Sequence, residues 1–424
     1  MYKKSEQLLK RALHSIPLAS QTFSKSLTQY PKGVSPFFIE KGKGSKVWDV
    51  DGNEYIDFVN SLAAVTLGYC DSDVDDVVQK QMKNGVTFSL PHVLEMAVAE
   101  KLIEIIPCAQ KVRFAKNGTD ATSAAIRIAR AYTGKEAIAV CGYHGWQDWY
   151  IGSTTRDLGV PQVVKCLTHK FEYNNIKSLE EIFNKQQLAC VIMEPMNAEY
   201  PKNNFLEAVK NLAHKNNALL IFDETITGFR YSLGGAQAFF GVIPDLATFG
   251  KGMANGYPLS AVVGSNEVMQ KVEDIFFSGT FGGETLSLAA ANVVIEQYKN
   301  QNVTTYLNDL GQYLLKNLNQ IIAEKGLKDI FYTSGHPSWS FLHIKEQTDY
   351  SVYEIKTLFL QEMFKRGILT LGSHNLSFAH TKKDINQLLK VYTEVLPQIK
   401  HHIDNQSLLE NIQGEILKPL FKVR

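Results

Sequence analysis

The chain places Lys251 between two glycines, in Pro244-Asp245-Leu246-Ala247-Thr248-Phe249-Gly250-Lys251-Gly252, 28 positions after Asp223. Flanking glycines leave room for a planar ligand to approach the backbone. An amine that is desolvated there loses affinity for its proton and becomes nucleophilic, which is what Schiff-base chemistry requires. The glycines alone fit a surface lysine in a turn more readily, since lysine is mostly exposed. The residues around it decide between the two. Asp223 and Glu224 end the apolar run Ala218-Leu219-Leu220-Ile221-Phe222, so a carboxylate and the lysine could share one ligand.

Asn117-Gly118-Thr119-Asp120 follows the extended segment Lys111–Ala115 and precedes a helical face of Ala121, Ala124, Ala125, Ile128 and Ala129. A Gly-Thr at a helix start offers unpaired N–H groups and a hydroxyl at the positive end of the helix dipole, a seat for phosphate. By itself the pattern is also an ordinary helix cap. Tyr143, His144 and Trp146 follow the run Ala137–Val140, and Glu194 follows Leu188–Met193. These positions put Tyr/His, Glu and Asp at the carboxyl ends of successive strands, where open α/β sheets bind ligands. The implied ligand has a phosphate, a flat ring to stack on Tyr143, a basic ring nitrogen opposite Asp223 and an aldehyde for Lys251. Pyridoxal phosphate meets all four requirements. An ATPase is disfavoured, because the Walker-B-like Leu219–Glu224 has no full phosphate-loop consensus to partner it. No metal site is read.

The elements that must carry these residues are legible as periodicities. Apolar runs at Ala137–Val140, Leu188–Met193, Ala218–Phe222 and Leu259–Val263 read as parallel strands covered on both faces, with crossover helices between them. Val47–Ile56 reads as a hairpin turning at Asp51-Gly52, with the positive backbone angles of a tight primed turn. Leu94–Ile106 reads as a helix ended by Pro107, Thr304–Lys325 as a long helix, and further helices are expected after Thr381 and Ser407. The expected organisation is an N-terminal segment with a small-lobe hairpin over 1–75, a large α/β domain over 76–300 and a C-terminal α+β lobe over 301–424.

Composition narrows the partners. The 424 residues carry 44 Lys and Arg against 43 Asp and Glu, a net charge of +1 without like-charged blocks, so a phosphate-tracking nucleic-acid surface is not expected. Cys70, Cys108, Cys141, Cys166 and Cys190 are scattered without metal-binding spacing, which fits a reducing cytoplasm. The N-terminal stretch reads as an amphipathic helix with no leader, and no apolar run approaches the roughly 20 residues that cross a bilayer.

The motifs together resemble the class III, or subgroup II, fold-type I aminotransferases, and within them glutamate-1-semialdehyde 2,1-aminomutases most of all. The likeness covers about Lys46 to Asp384. It rests on Trp48–Asp57, Val112–Ala121, Arg127–Gly134, Tyr143-His144-Gly145, Asp223–Arg230, Gly234-Gly235, Pro244–Leu246 and Gly250-Lys251. The resemblance implies a large domain with a mostly parallel sheet between helices, plus a smaller α+β lobe drawn from both termini. It implies pyridoxal phosphate bound covalently to Lys251, paired with Asp223, stacked on Tyr143, seated by Gly118 and Thr119, and faced by Thr225 where the family usually has valine. It further implies a homodimer in which Thr280, in Ser278-Gly279-Thr280, serves the neighbouring subunit's cofactor phosphate.

Departures from the family pattern bear on the substrate. Where the aminomutases carry an arginine for the substrate carboxylate, Gly33-Val34-Ser35-Pro36-Phe37-Phe38 offers aromatics. Gly282-Gly283-Glu284-Thr285 replaces the usual Ser-Gly-Asn-Pro. The expected activity is transfer of an amino group from a small-molecule donor to a carbonyl acceptor, a sugar-like or surface-polysaccharide precursor, with Glu194, His144 and Trp146 as substrate candidates. The alternatives are the intramolecular 2,1-aminomutase reaction and a non-catalytic binding protein on the same fold. The complete Lys, Asp, Tyr and phosphate-seat set favours catalysis over the last.

Overall fold

A computed structural model describes residues 1–419 of the chain. The described residues divide into two compact units, one made of Ser72–Thr305 and the other of Met1–Asp71 with residues 306–419. The first unit is built on a seven-stranded sheet: β1 (Lys111–Ala115), β2 (Ala137–Cys141), β3 (Thr168–Lys170), β4 (Leu188–Met193), β5 (Leu219–Asp223), β6 (Leu246–Phe249) and β7 (Ser260–Gly264). Side by side they run β1-β7-β6-β5-β4-β2-β3. Strands β2 to β6 pair in parallel, whereas β7 is antiparallel to both β6 and β1. The expectation that Leu259–Val263 joins a parallel set is thereby corrected, because an apolar run reports burial on both faces and carries no direction.

Strands β2, β4, β5, β6 and β7 are buried at every residue. One face packs Ile138, Val140, Ile192, Ile221 and Val262 against Ala124, Ala125, Ile128 and Ala129 of the helix Gly118–Thr133. Alanines on that helix let it sit close to the sheet. The other face packs Ala139, Val191, Leu220 and Phe222 against Leu206, Val209 and Ala213 of the helix Phe205–Lys215.

In the second unit Lys46–Asp49 and Glu54–Asp57 form the expected hairpin, flanked by Ile39–Lys43 and joined in parallel by Ile368–Leu369. Its turn differs from the expected one. Among its residues only Gly52 takes a positive φ, 87°, and the Asp49 carboxylate accepts hydrogen bonds from the Asp51 and Asn53 backbone at 3.0 and 2.8 Å. A side-chain-supported four-residue connection thus replaces a primed turn, which would need positive φ at both central residues. Phe331–His336, Trp339–Ile344 and Ser373–Asn375 make a second small sheet, and Val352–Lys365 and Lys382–Asp404 are its long helices. The periodicity at Thr304–Lys325 forms the helix Val303–Glu324, but among the described residues after Ser407 there is only a 3-10 turn at Leu409–Asn411. No helix among the described residues is long and apolar enough to cross a membrane.

Candidate active site

Asp223 is the last residue of β5 and lies opposite Thr248 of β6 in the parallel register, so Lys251, just past the end of β6, emerges at the same sheet edge. Lys251 opens a 3-10 turn, Lys251–Ala254, with φ of 41°. A left-handed conformation is costly for a residue with a Cβ, and such residues gather at functional sites. The turn is pinned from below by the Tyr298 hydroxyl, which donates to the Gly252 carbonyl at 2.7 Å. Lys251 itself is half-buried.

The Asp223 carboxylate is buried and hydrogen-bonded at both oxygens. Its Oδ1 accepts from Thr225 N at 3.1 Å, Thr225 Oγ1 at 2.5 Å and Thr248 Oγ1 at 3.1 Å, and its Oδ2 lies 2.8 Å from His144 Nδ1. Complete burial alone would push its pKa up, but the hydrogen bond and charge from His144 and the bonds from Thr225 outweigh burial and hold it below the usual carboxylate range. The second ring nitrogen of His144, Nε2, lies 3.1 Å from the Cys141 carbonyl oxygen. His144 is 1% exposed and stacks on Trp149. Both of its ring nitrogens are bonded inside the protein.

Tyr143 sits one residue earlier, 37% exposed, with its ring edge-on to Tyr150. Its backbone N–H donates to Glu194 Oε2 at 3.0 Å. Glu194 is itself buried, and a Cβ on Gly142 would come within 2.6 Å of its carboxylate. Sequence put Glu194 with the substrate; the structure places its carboxylate under the turn that presents Tyr143. Trp146 is the member of the expected substrate trio that faces solvent, 68% exposed.

Gly118 and Thr119 begin the helix after β1, as read from sequence. A Cβ on Gly118 would lie 3.1 Å from the Thr225 methyl, and one on Gly145 would lie 2.3 Å from Thr119 Oγ1. The Thr119 hydroxyl is buried and finds no hydrogen-bond partner among the described residues. A buried hydroxyl without a protein partner at a helix N-terminus is an arrangement that an anion would complete. These close approaches join Gly118, Thr119, Tyr143, Asp223 and Thr225 into one constellation at the edge where Lys251 emerges. Thr280 is apart from it, exposed on the loop between Asp274 and Glu284.

Two supporting residues were missed from sequence. Thr248 bonds Asp223 from the neighbouring strand; its signal was a lone polar residue in Leu246–Phe249, but only the register connects it to Asp223. Glu224 was noted as half of an acidic pair, and it is fully buried, accepting from Thr227 Oγ1 and the Ala236 N–H at 2.6 Å each and from the Gln237 N–H at 2.9 Å. Burial raises its pKa, and those donors fix the helix Gly235–Phe240 to the end of β5.

Residues 29–380 match the family described as Aminotransferase class-III. Among curated relatives, a 3-aminobutyryl-CoA aminotransferase of Cloacimonas acidaminovorans is 37% identical over 380 residues, covering 87% of this chain and 91% of its own length. Glutamate-1-semialdehyde 2,1-aminomutase 2 of Lachnoclostridium phytofermentans is 34% identical, covering 93% of this chain and 99% of its own. Among solved structures, an omega-transaminase from Sphaerobacter thermophilus superposes with a TM-score of 0.84 at 27% identity, covering 93% of this chain and 97% of that one. The FumI protein of Sphingopyxis sp. MTA144, solved with PLP, gives a TM-score of 0.87 at 26% identity, covering 94% and 97%.

Proposed function

Since the chain belongs to the class-III aminotransferases, which are enzymes of pyridoxal phosphate, we propose that it moves an amino group between two separate substrates at the edge formed by β2, β4, β5 and β6. The observation that carries the reading is the buried, ionised Asp223 at the end of one strand beside a lysine-bearing turn at the end of the next. The residues present fit the cofactor: the unpartnered Thr119 hydroxyl and the helix start at Gly118 would hold its phosphate, Tyr143 would lie against its ring, Thr225 would border it, and Lys251 would anchor it covalently. When bound, pyridoxal phosphate supplies an electrophilic carbon and a sink for the electrons left by a departing α-proton. Asp223, kept ionised by His144, holds a proton at the position facing its carboxylate. Tyr143 is held in place through its backbone by Glu194. The Lys251 amine would take the donor's α-proton and later return one.

The second substrate is a carbonyl compound without a free carboxylate beside the reacting carbon. Phe37 and Phe38, where the aminomutases carry an arginine, support this, as does the exposed Trp146. A sugar-like carbonyl fits this chemistry, and so does the β-keto counterpart of the β-amino acyl thioester named for the Cloacimonas relative. The enzyme acts as a homodimer, with Thr280 completing the partner's phosphate site. Support comes from Phe276 and Phe281 beside Thr280, 85% and 59% exposed, which form apolar surface of the sort that marks interfaces.

The deciding experiment loads the full chain with pyridoxal phosphate and follows the cofactor absorbance on adding glutamate, alanine, an amino sugar or 3-aminobutyryl-CoA. Conversion to the amino form of the cofactor by one of these, reversed by a separate carbonyl acceptor, is expected. Turnover of glutamate-1-semialdehyde with no second substrate would replace this reading by the aminomutase reading, which the Lachnoclostridium relative supports.

A further inference from the structure

Lys116 and Glu284 form an ion pair of 3.0 Å, with side chains 19% and 13% exposed. Lys116 follows β1 directly and stands two residues before Gly118. Glu284 ends the loop that carries Thr280, at the position where the family pattern has asparagine. Its carboxylate also accepts from Leu286 N at 2.6 Å, Ser287 N at 3.2 Å and Ser287 Oγ at 2.6 Å, which caps the helix Thr285–Asn300. The next residue, Thr285, ties the same point to Gly85 and Val86 through its hydroxyl and backbone N–H, at 2.9 Å each. A single carboxylate therefore joins the start of the phosphate seat, the foot of the Thr280 loop and the start of a long helix. An exposed ion pair is worth little, but this one is mostly buried and its carboxylate has three further donors.

The charges have opposite consequences for a bound phosphate. An anion seated at Gly118 and Thr119 is repelled by Glu284 and attracted by Lys116, so the pair leaves the seat nearly neutral while the carboxylate clamps the loop.

We propose that Lys116 and Glu284 are a positioning pair for the cofactor phosphate: Glu284 fixes the Thr280-bearing loop to the seat, and Lys116 cancels the repulsion that this carboxylate would otherwise exert. The inference rests on the reading of Gly118 and Thr119 as the phosphate seat.

The test compares equilibrium binding of pyridoxal phosphate and of pyridoxal, which lacks the phosphate, to the full chain stripped of cofactor. Lys116→Met is expected to lower the preference for the phosphorylated form roughly tenfold, as one uncancelled charge within about 10 Å implies. Glu284→Gln is expected to hold or raise that preference while making the loop easier to cleave by protease. Lys116→Met/Glu284→Gln, neutral at both positions, returns the preference to within about threefold of the parent. A common structural defect moves both single variants in the same direction, and that result, or no change in Lys116→Met, overturns the pair. Thr119→Ala separates the two levels. Its loss of preference beside an unchanged Lys116→Met overturns the pair alone, whereas an unchanged preference in Thr119→Ala overturns the seat on which the pair depends.

Discussion

His144 Nδ1 and Asp223 Oδ2 face each other at 2.8 Å, with side chains 0% and 5% exposed, and the other ring nitrogen of His144 is spent on the Cys141 carbonyl. The carboxylate is thereby kept charged where burial alone would neutralise it. His144→Phe leaves that charge buried with only the Thr225 and Thr248 donors, and removing one partner of a buried pair costs about 3–5 kcal/mol. In the parent the Asp223 pKa is depressed below its ordinary 3.8, so its stabilisation is present above that pH and is lost as pH falls through the folded value. In the variant burial dominates, the pKa rises, and the penalty fades on acidification. Unfolding temperatures of the two proteins should differ most at neutral pH, draw together on acidification and meet only below the depressed Asp223 pKa of the parent. A pH-independent gap would mean that lost ring packing against Trp149, and not charge, explains the effect.

Thr225→Val tests the hydroxyl that sets this chain apart from the family pattern. The change removes a 2.5 Å bond to Asp223 Oδ1 and keeps the side chain's shape. Hydrogen bonds to the charged form lower a carboxylate pKa, so losing one raises it. The acid limb of the pH–rate profile should move upward, with kcat/KM at neutral pH falling by roughly 3–10-fold for about 1 kcal/mol of lost stabilisation. An unmoved acid limb would show that Thr248 and His144 suffice.

The parts of the site that were legible in sequence are those set by strand ends. The buried strands β2, β4 and β5 read as apolar runs, so the polar residues that follow each run mark the sheet edge, and Asp223, Glu194 and Tyr143 were placed there this way. What those residues do there was harder to read. Glu194 and His144 carry the same chemistry whether they point into the site or beneath it, and only the close packing of Gly142 on Glu194 and of His144 on Asp223 tells which. Thr248 was hidden because its partner lies 25 positions away and is reached only through the β5–β6 register. The antiparallel run of β7 was hidden because apolarity has no direction. The helix expected after Ser407 fails for a local reason: Leu408 and Leu409 are followed by Asn411 and Gly414, too short an apolar stretch to offset helix nucleation.

Lys251 separates chemistry from stability, because its backbone conformation opposes its side chain. Lys251→Ala keeps the Cβ and therefore the cost of φ at 41°, whereas Lys251→Gly relieves it, by about 1–2 kcal/mol. Both variants lose the amine and should fall at least 10²–10⁴-fold in turnover, roughly the range of a lost proton carrier. Neither should retain cofactor after borohydride reduction and denaturation. The glycine variant should nonetheless unfold at the same or a higher temperature than the alanine variant. Retained covalent cofactor in either one would assign the anchor to a different lysine.

Gly145→Ala probes the wall of the phosphate seat. A Cβ at this position falls 2.3 Å from Thr119 Oγ1 and 2.6 Å from Thr119 Cβ, so Thr119 must be displaced, and φ of 104° adds backbone strain. Gly134→Ala provides the comparison, since Gly134 also has positive φ, 69°, but a Cβ there meets nothing within 4 Å. Gly134→Ala should pay only the backbone cost, about 1 kcal/mol, and retain cofactor. Gly145→Ala should lose a further 1–3 kcal/mol, roughly the range for forced overpacking, and should shed pyridoxal phosphate on gel filtration where the parent holds it. Because the clash is with a buried hydroxyl that finds no partner among the described residues, the two losses should come together. Cofactor retention equal to the parent's, despite the lower stability, would move the phosphate away from Thr119.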